Sequence, residues 1–166
     1  MRSLFPLPLL LSVVACSSRP ALYLNEVQAD NQSTLADGAT GEYPDWIELH
    51  NGGDEPISLG GFYLTDDLGR PQQQALDARL SVAAGGFLLL WADQGAVDDP
   101  SHLNFALAKG GEDLGLFWDD PETGNLLQLD ALAFGAQDPD TSWARREDGT
   151  GPWLVCATPT PGASNE

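Results

Sequence analysis

Apolar residues in this chain fall into short runs of about five to eight residues, separated by Gly, Pro, Asn and Asp. Runs of this length predict β-strands, and no longer window keeps the apolar repeat of a helix. We predict eight strands, at Leu22–Ala29, Trp46–Asn51, Phe62–Asp66, Gly86–Ala92, Asn104–Leu107, Leu114–Trp118, Leu127–Phe134 and Ser142–Arg146. The predicted fold class is therefore all-β.

The spacing of these strands indicates two packed sheets. Gly-rich and Asp-rich turns separate the strands, and many short strands at such spacing predict a β-sandwich. The run Phe87–Trp91 is continuously apolar, which predicts a central strand buried on both faces. Alternation places one set of side chains on a single face of a later strand, namely Leu127, Leu129, Ala131 and Ala133.

The first residues differ from the rest of the chain. Arg2 is the only charge before Arg19, and the stretch from Leu4 to Ala15 is apolar. As a helix it would be about 18 Å long, too short for a hydrocarbon core of about 30 Å. A positive start, a short apolar segment and small residues predict a secretory signal peptide at residues 1–15. The segment Val13–Ser18 resembles a bacterial lipobox, which implies acylation of Cys16 and removal of the peptide before it.

The fate of Cys16 decides the expected localisation. An acylated Cys16 would hold the protein on a membrane, and Ser17 after it resembles lipoproteins sent to the outer membrane. Ordinary cleavage after Ala15, giving a soluble secreted product, is the alternative. Cys156 is the only other cysteine, so a Cys16–Cys156 disulfide competes with the lipid for one thiol. We favour the lipid, with residues 16–21 as a short tether and 22–165 as a single domain.

The chain is strongly acidic, with 25 acidic against 7 basic residues and a formal net charge of −18. Such a surface repels phosphate backbones, so we expect no nucleic-acid partner. It favours cationic partners or calcium.

Seven segments in order resemble the lamin tail domain of the bacterial type: Leu24–Val27, Asp45–Asn51, Leu59–Asp66, Ala84–Phe87, Asn104–Glu112, Ser142–Gly149 and Thr158–Asn165. Each motif is weak alone, but their order is specific. The resemblance implies an immunoglobulin-like β-sandwich that serves as a binding or adhesion module on exported proteins. The chromatin binding of nuclear lamins does not carry over, because this chain lacks their basic surface and coiled coil.

We expect the residues that the family pattern marks to be structural. They are Asn25, Glu26, Asp45, Trp46, Glu48, Asn51, Gly86, Phe105, Gly111, Ser142, Arg145, Asp148, Gly149, Pro161, Gly162 and Asn165. On its strand Asn51 falls on the core face, where its side chain can satisfy backbone groups of the next turn. Glu26 and Glu48 are expected to bond to backbone amides or to pair with Arg145 or Arg146.

Calcium is an alternative role for the acids around the longest connection, Asp30 to Pro44. Oxygen ligands suit calcium, and four acids border this loop: Asp30, Asp37, Glu42 and Asp45. No segment has the Asp-x-Asp-x-Asp-Gly spacing of a calcium loop. We otherwise expect no cofactor.

Motifs for catalysis are missing from the sequence. His50 and His102 lie on separate segments without a nucleophile motif, and the paired acids Asp66-Asp67 and Asp119-Asp120 have turn contexts. Five tryptophans could form a glycan-stacking face, with Trp46 and Trp153 expected to be partly exposed. The sequence thus favours a non-enzymatic, exported binding or scaffold module that recruits an envelope protein or glycan. The alternatives are a purely structural envelope lipoprotein and a calcium- or glycan-binding adhesion module.

Overall fold

Twelve strands and their connections make up residues 19–165, the part of the chain that this computed structural model describes. The strands are β1 (Leu22–Gln28), β2 (Asp45–Asn51), β3 (Ile57–Ser58), β4 (Phe62–Thr65), β5 (Gln74–Ala75), β6 (Ser81–Val82), β7 (Phe87–Ala92), β8 (His102–Leu103), β9 (Gly111–Asp119), β10 (Leu126–Gly135), β11 (Ser142–Glu147) and β12 (Thr150–Cys156). Within this range no helix is present, so none is available to cross a membrane.

Two larger sheets carry the fold. The six-stranded sheet has the order β12-β11-β1-β2-β7-β8, and the four-stranded sheet has the order β10-β9-β4-β5. All pairings are antiparallel except β7 with β8, and β3 and β6 form a separate short pair. The all-β fold class and the β-sandwich are therefore confirmed.

One apolar core holds the two sheets together. The six-stranded sheet contributes Leu24 and Leu49, while the four-stranded sheet contributes Leu64 and Leu116, and all four side chains are fully buried. Alternation along each strand aims these side chains at the core. The opposite face of the six-stranded sheet consequently carries the neighbouring residues of β1 and β2, including Glu26 and Glu48.

Four predictions of local structure were wrong. Asn104–Leu107 is not a strand, because pairing stops at β8 and only an isolated bridge at Ala106 follows. The strand β12 and the four two-residue strands β3, β5, β6 and β8 were not predicted. The run Phe87–Trp91 is mostly half-buried rather than buried on both faces, because it belongs to a sheet of which only one face packs on the apolar core.

A bulge explains the fourth error. The pairing of β10 with β9 shifts register between Gln128 and Asp130. An extra residue reverses the alternation beyond it, so Leu132 and Phe134 enter the core while Ala133 is exposed. The four residues predicted to share one face of β10 therefore do not.

Candidate functional site

Two glutamates lie opposite each other on the outer face of the six-stranded sheet. The register of β1 against β2 shifts between Leu24 and Glu26, which makes Asn25 the extra residue of a bulge. This shift sets Glu26 directly across from Glu48. Both residues are fully buried although neither faces the apolar core.

The cover over these glutamates is the segment 157–165, here called the C-terminal strap. Its backbone donates to both: the Thr160 N–H lies 3.1 Å from Glu26 Oε2, and the Gly162 N–H lies 2.6 Å from Glu48 Oε2. The Asn165 N–H donates to Asp148 Oδ1 at 3.0 Å. Three carboxylates thus bind one chain end through its backbone amides, which are the charge-assisted bonds expected to be strong.

Side-chain amides complete this network. Asn25 Nδ2 donates to Glu48 Oε1 at 2.9 Å, while its Oδ1 accepts the Gly149 N–H at 2.8 Å. The Asn165 side chain donates to the Asn25 carbonyl oxygen at 3.2 Å. The Ser142 hydroxyl donates to Glu26 Oε1. Eight of the family-motif residues predicted to be structural therefore meet at one place, where segments from both ends of the domain join: Asn25, Glu26, Glu48, Ser142, Asp148, Gly149, Gly162 and Asn165.

Burial shifts the protonation of this cluster. It raises the pKa of Glu26, and it raises the pKa of Glu48 to about 7. The hydrogen bonds from Asn25 and Gly162 lower the pKa of Glu48 by less than burial raises it, and the nearby Glu26 charge adds to the rise. Burial also opposes ionisation of Asp148, but the donors around it, first the Asn165 N–H, hold its pKa below the ordinary value. One member of the opposed glutamate pair is thus poised to carry a proton near neutral pH.

Arg145 has a different partner from those considered for it. Its guanidinium makes a two-pronged ion pair with Asp130 at 2.7 and 2.8 Å and stacks on Trp153 with 4.7 Å to the ring centre. Arg146 lies 3.6 Å from Glu147. Glu26 and Glu48 were expected to bond either to backbone amides or to these two arginines, and the structure shows the bonds to backbone amides.

The other motif residues support turns and the core. Asn51 is fully buried, donates to the Glu55 carbonyl oxygen at 2.8 Å and accepts the Gly53 N–H at 2.9 Å. Phe105 lies in the core. Gly111 has a φ of +100°, and a Cβ there would stand 2.5 Å from the Phe134 carbonyl oxygen.

Two further motif glycines and Pro161 lie at chain reversals. Gly86 closes a turn by donating to the Ala83 carbonyl oxygen at 2.9 Å, and Gly149 has a φ of +68° between β11 and β12. Pro161 lies within the strap, between its two donors to the glutamates.

Trp46 is fully buried, so the prediction of partial exposure is wrong for this residue. Its indole N–H donates to Gln28 Oε1 at 2.7 Å, which gives the ring a polar partner inside the protein. Trp118, Trp143 and Trp153 are partly buried and pack against the core. Trp46 is therefore not available to an exposed glycan-stacking face, and glycan binding stays an untested prediction.

The four acids considered for calcium have separate partners. Asp30 Oδ2 lies 4.0 Å from Lys109 Nζ, and Asp37 accepts the Ala39 and Thr40 N–H groups. Asp45 accepts the Asn31 N–H at 3.1 Å, and burial raises its pKa to about 6. Glu42 is exposed. Across residues 19–165 no group of three or more His, Cys, Asp or Glu could hold a metal ion. Calcium binding stays an untested prediction.

The long connection between β1 and β2 is held in one shape by Asp140, which was not singled out in the sequence. The Asp140 carboxylate accepts the backbone N–H groups of Gln32, Ser33 and Thr34 at 2.8 to 3.2 Å. At the far end of the loop Tyr43 is 43% exposed. The start of the loop is therefore fixed by Asp140, and its far end presents an exposed aromatic side chain.

The edge strand β12 is the most exposed apolar part of the six-stranded sheet. Leu154 and Val155 are 50% and 62% exposed, although adjacent residues of a strand face opposite ways. Sequence reasoning missed this edge because Gly151 and Pro152 interrupt the strand pattern at its start.

The histidines do not form a recognisable catalytic set. His102 Nδ1 lies 2.6 Å from Asp93 Oδ2, next to a cleft of about 530 Å³ lined mainly by polar residues of the segments 74–79 and 98–102. His50 packs on Phe87 with 4.8 Å between ring centres. The two histidines thus have separate partners.

Comparison with known proteins gives one positive result. A search of curated proteins and a search of solved structures each found no match. The family model of the Lamin Tail Domain matches residues 16–136, which ends just after β10 and includes the two buried glutamates. The residues beyond that match, β11, β12 and the strap, complete the sheet around those glutamates. This chain therefore belongs to the lamin tail domain family, a family of non-catalytic immunoglobulin-like domains.

Proposed function

We propose that this protein is a non-enzymatic, exported interaction module, displayed on the cell envelope through a lipid on Cys16. The observation that carries the proposal is the use of the motif acids. The strap donates its backbone N–H groups to Glu26, Glu48 and Asp148, so these acids are not free to bind a partner. The exposed loop around Tyr43 and the edge β12 are free to contact one. A rigid scaffold with exposed loops and edges suits binding.

The position of the tether supports outward presentation. Cys16 and the predicted signal peptide lie outside the described residues, which begin at Arg19, three residues before β1. The loop from Asp30 to Pro44 leaves the other end of β1, about 20 Å away along a strand of this length. A lipid on Cys16 would hold the start of β1 at the bilayer and the loop away from it.

The anchor is tested by detergent phase partitioning of the wild-type chain and a Cys16→Ser variant expressed with its own leader. We expect the wild type in the detergent phase and the variant in the aqueous phase. Two aqueous proteins would end the lipid proposal. The intact mass of the mature wild type gives a second measurement: acyl chains with a reduced Cys156 support the anchor, and a Cys16–Cys156 disulfide contradicts it.

The binding role is tested with the wild-type lipoprotein, purified in mild detergent and immobilised, against envelope extract. A partner that saturates the immobilised protein and is competed by free protein supports the interaction module. If no such partner is captured, the purely structural envelope lipoprotein becomes the better description.

A further inference from the structure

The two larger sheets end in four edges, and three of them are short or covered. β8 and β5 are two residues long, and β8 is buried. Along β10 the Arg19 guanidinium donates to the carbonyl oxygens of Gln128 and Leu129, and Asp130 at the bulge accepts the Leu24 N–H. In the described part of the chain, β12 is a seven-residue strand that pairs with β11 alone. A long unpaired edge is a template for another strand.

The features that normally protect such an edge are confined to the first half of β12. Gly151 and Pro152 lie there, and the pairing with β11 shifts register between Arg145 and Glu147. Proline and bulges discourage strand addition. The second half, Trp153–Cys156, contains no charge, proline or glycine. It is also the half farther from the tether, because Cys156 pairs with Ser142 beside the end of β1.

The exposed half of β12 is held rigidly from behind. Arg145 stacks on Trp153 and pairs with Asp130 of the opposite sheet. The Asn165 side chain of the strap donates to the Arg145 carbonyl oxygen at 2.8 Å. A preformed edge loses little conformational entropy when a partner binds. Beside it lies a depression of about 170 Å³ between Leu154, Cys156 and Asn165, large enough for one aliphatic side chain.

Charge and size favour a basic peptide segment over a second copy of this chain. Two copies would each bring a net charge of −18 to the contact. Both arginines near the edge are already matched, Arg145 by Asp130 and Arg146 by Glu147. The apolar half of β12 is about 14 Å long and about 5 Å wide, so its area is on the order of 100 Å², well below the roughly 800 Å² per partner of a stable protein interface.

We propose that the Trp153–Cys156 edge binds an extended, basic segment of a partner protein by strand addition, with one apolar side chain in the depression beside Leu154. Main-chain hydrogen bonds supply the pairing and alternate side chains supply the selectivity. The acidic surface speeds the approach of a basic segment and makes the binding weaker at high salt. This assignment rests on the proposed interaction function and gives it a site.

The test uses a fluorescein-labelled octapeptide of alternating Val and Lys. Two control peptides replace the lysines by Glu or place Pro at the centre. Fluorescence anisotropy measures binding to the wild type and to two variants, Val155→Lys at the edge and Tyr43→Lys on the long loop. Both substituted side chains are exposed and receive the same new charge, so each serves as the other's control. Amide hydrogen exchange locates the bound peptide.

We expect saturable binding of the Val-Lys peptide, protection of the β12 amides, and loss of binding by about tenfold or more for Val155→Lys and for both control peptides. Tyr43→Lys should bind as the wild type does. Protection of residues 30–44 instead, with loss only in Tyr43→Lys, would overturn the edge assignment while leaving an interaction module. No peptide binding together with β12 protection that grows with protein concentration would assign the edge to a second copy and overturn the proposal. If the peptide binds at β12 but no saturable envelope partner exists, the edge assignment stands and the proposed cellular role fails.

Discussion

Replacing Glu48 by glutamine should make the protein less sensitive to pH. In the wild type, burial raises the pKa of the Glu48 carboxyl from 4.5 to about 7. Between these values the folded chain keeps a proton that the unfolded chain has lost. Unfolding then releases a proton, so the free energy of unfolding falls as the pH rises through this window. Glutamine has nearly the same shape and cannot ionise.

The size of the effect follows from the width of the window. Each pH unit between the two pKa values corresponds to about 1.4 kcal/mol, so full ionisation of Glu48 lowers the free energy of unfolding by roughly 3 kcal/mol. The side chain is fully buried, so solvent screening reduces this free-energy difference only a little. We expect the free energy of unfolding of Glu48→Gln, relative to that of the wild type, to rise by about 3 kcal/mol between pH 4.5 and pH 8. This change does not depend on which of the two proteins is more stable at pH 4.5.

Urea denaturation of both proteins, followed by tryptophan fluorescence at intervals across that pH range, measures the difference. Glu55→Gln removes the same charge from an exposed side chain and is the matched control. Its difference from the wild type should stay within about 0.5 kcal/mol. A Glu48→Gln difference that is flat or falls with pH would show that burial does not raise the pKa of Glu48 in the folded protein.

Three further substitutions test other contacts of the fold by their effect on stability. Asn51→Ala removes the amide that bonds the carbonyl oxygens of Glu55, Val82 and Ala83 and the Gly53 N–H, and it should cost about 3 kcal/mol in urea denaturation. A loss under about 1 kcal/mol would mean that water replaces the amide. Arg145→Met leaves Asp130 with an unpaired charge and should cost about 3 to 5 kcal/mol at neutral pH, much of it recovered when Asp130→Asn is added; no recovery in the double variant would contradict the ion pair. Gly111→Ala should lower the melting temperature strongly or prevent folding, whereas Gly110→Ala, with open space at its Cβ, should stay near the wild type; equal melting temperatures would refute the predicted clash.

The strands that sequence reasoning predicted correctly are those whose signal is local. β1, β2, β4, β7, β9, β10 and β11 each combine an apolar run with turn residues at its ends, and these features lie within about ten residues of one another. The order of seven motifs was enough to indicate the family. The errors cluster where a local pattern is interrupted, at the bulge in β10 and at Gly151-Pro152 in β12.

The candidate site depends on contacts that no local pattern contains. Glu26 could be named from its motif, but its donor Thr160 lies 134 residues away, and Asp130 lies 15 residues from Arg145. A bulge of one residue at Asn25 decides whether Glu26 faces Glu48 or the core, because side chains alternate with a period of two.

The sequence alone determined that this is an acidic, all-β member of the lamin tail domain family with an apolar stretch, Leu4 to Ala15, before Cys16, because composition, turn residues and motif order are properties of the chain itself. The tertiary structure decided which acids are buried, that the C-terminal strap lies across them, and that β12 is an open edge. Those features arise from pairing between distant segments, and burial and exposure are defined only once the sheets have packed.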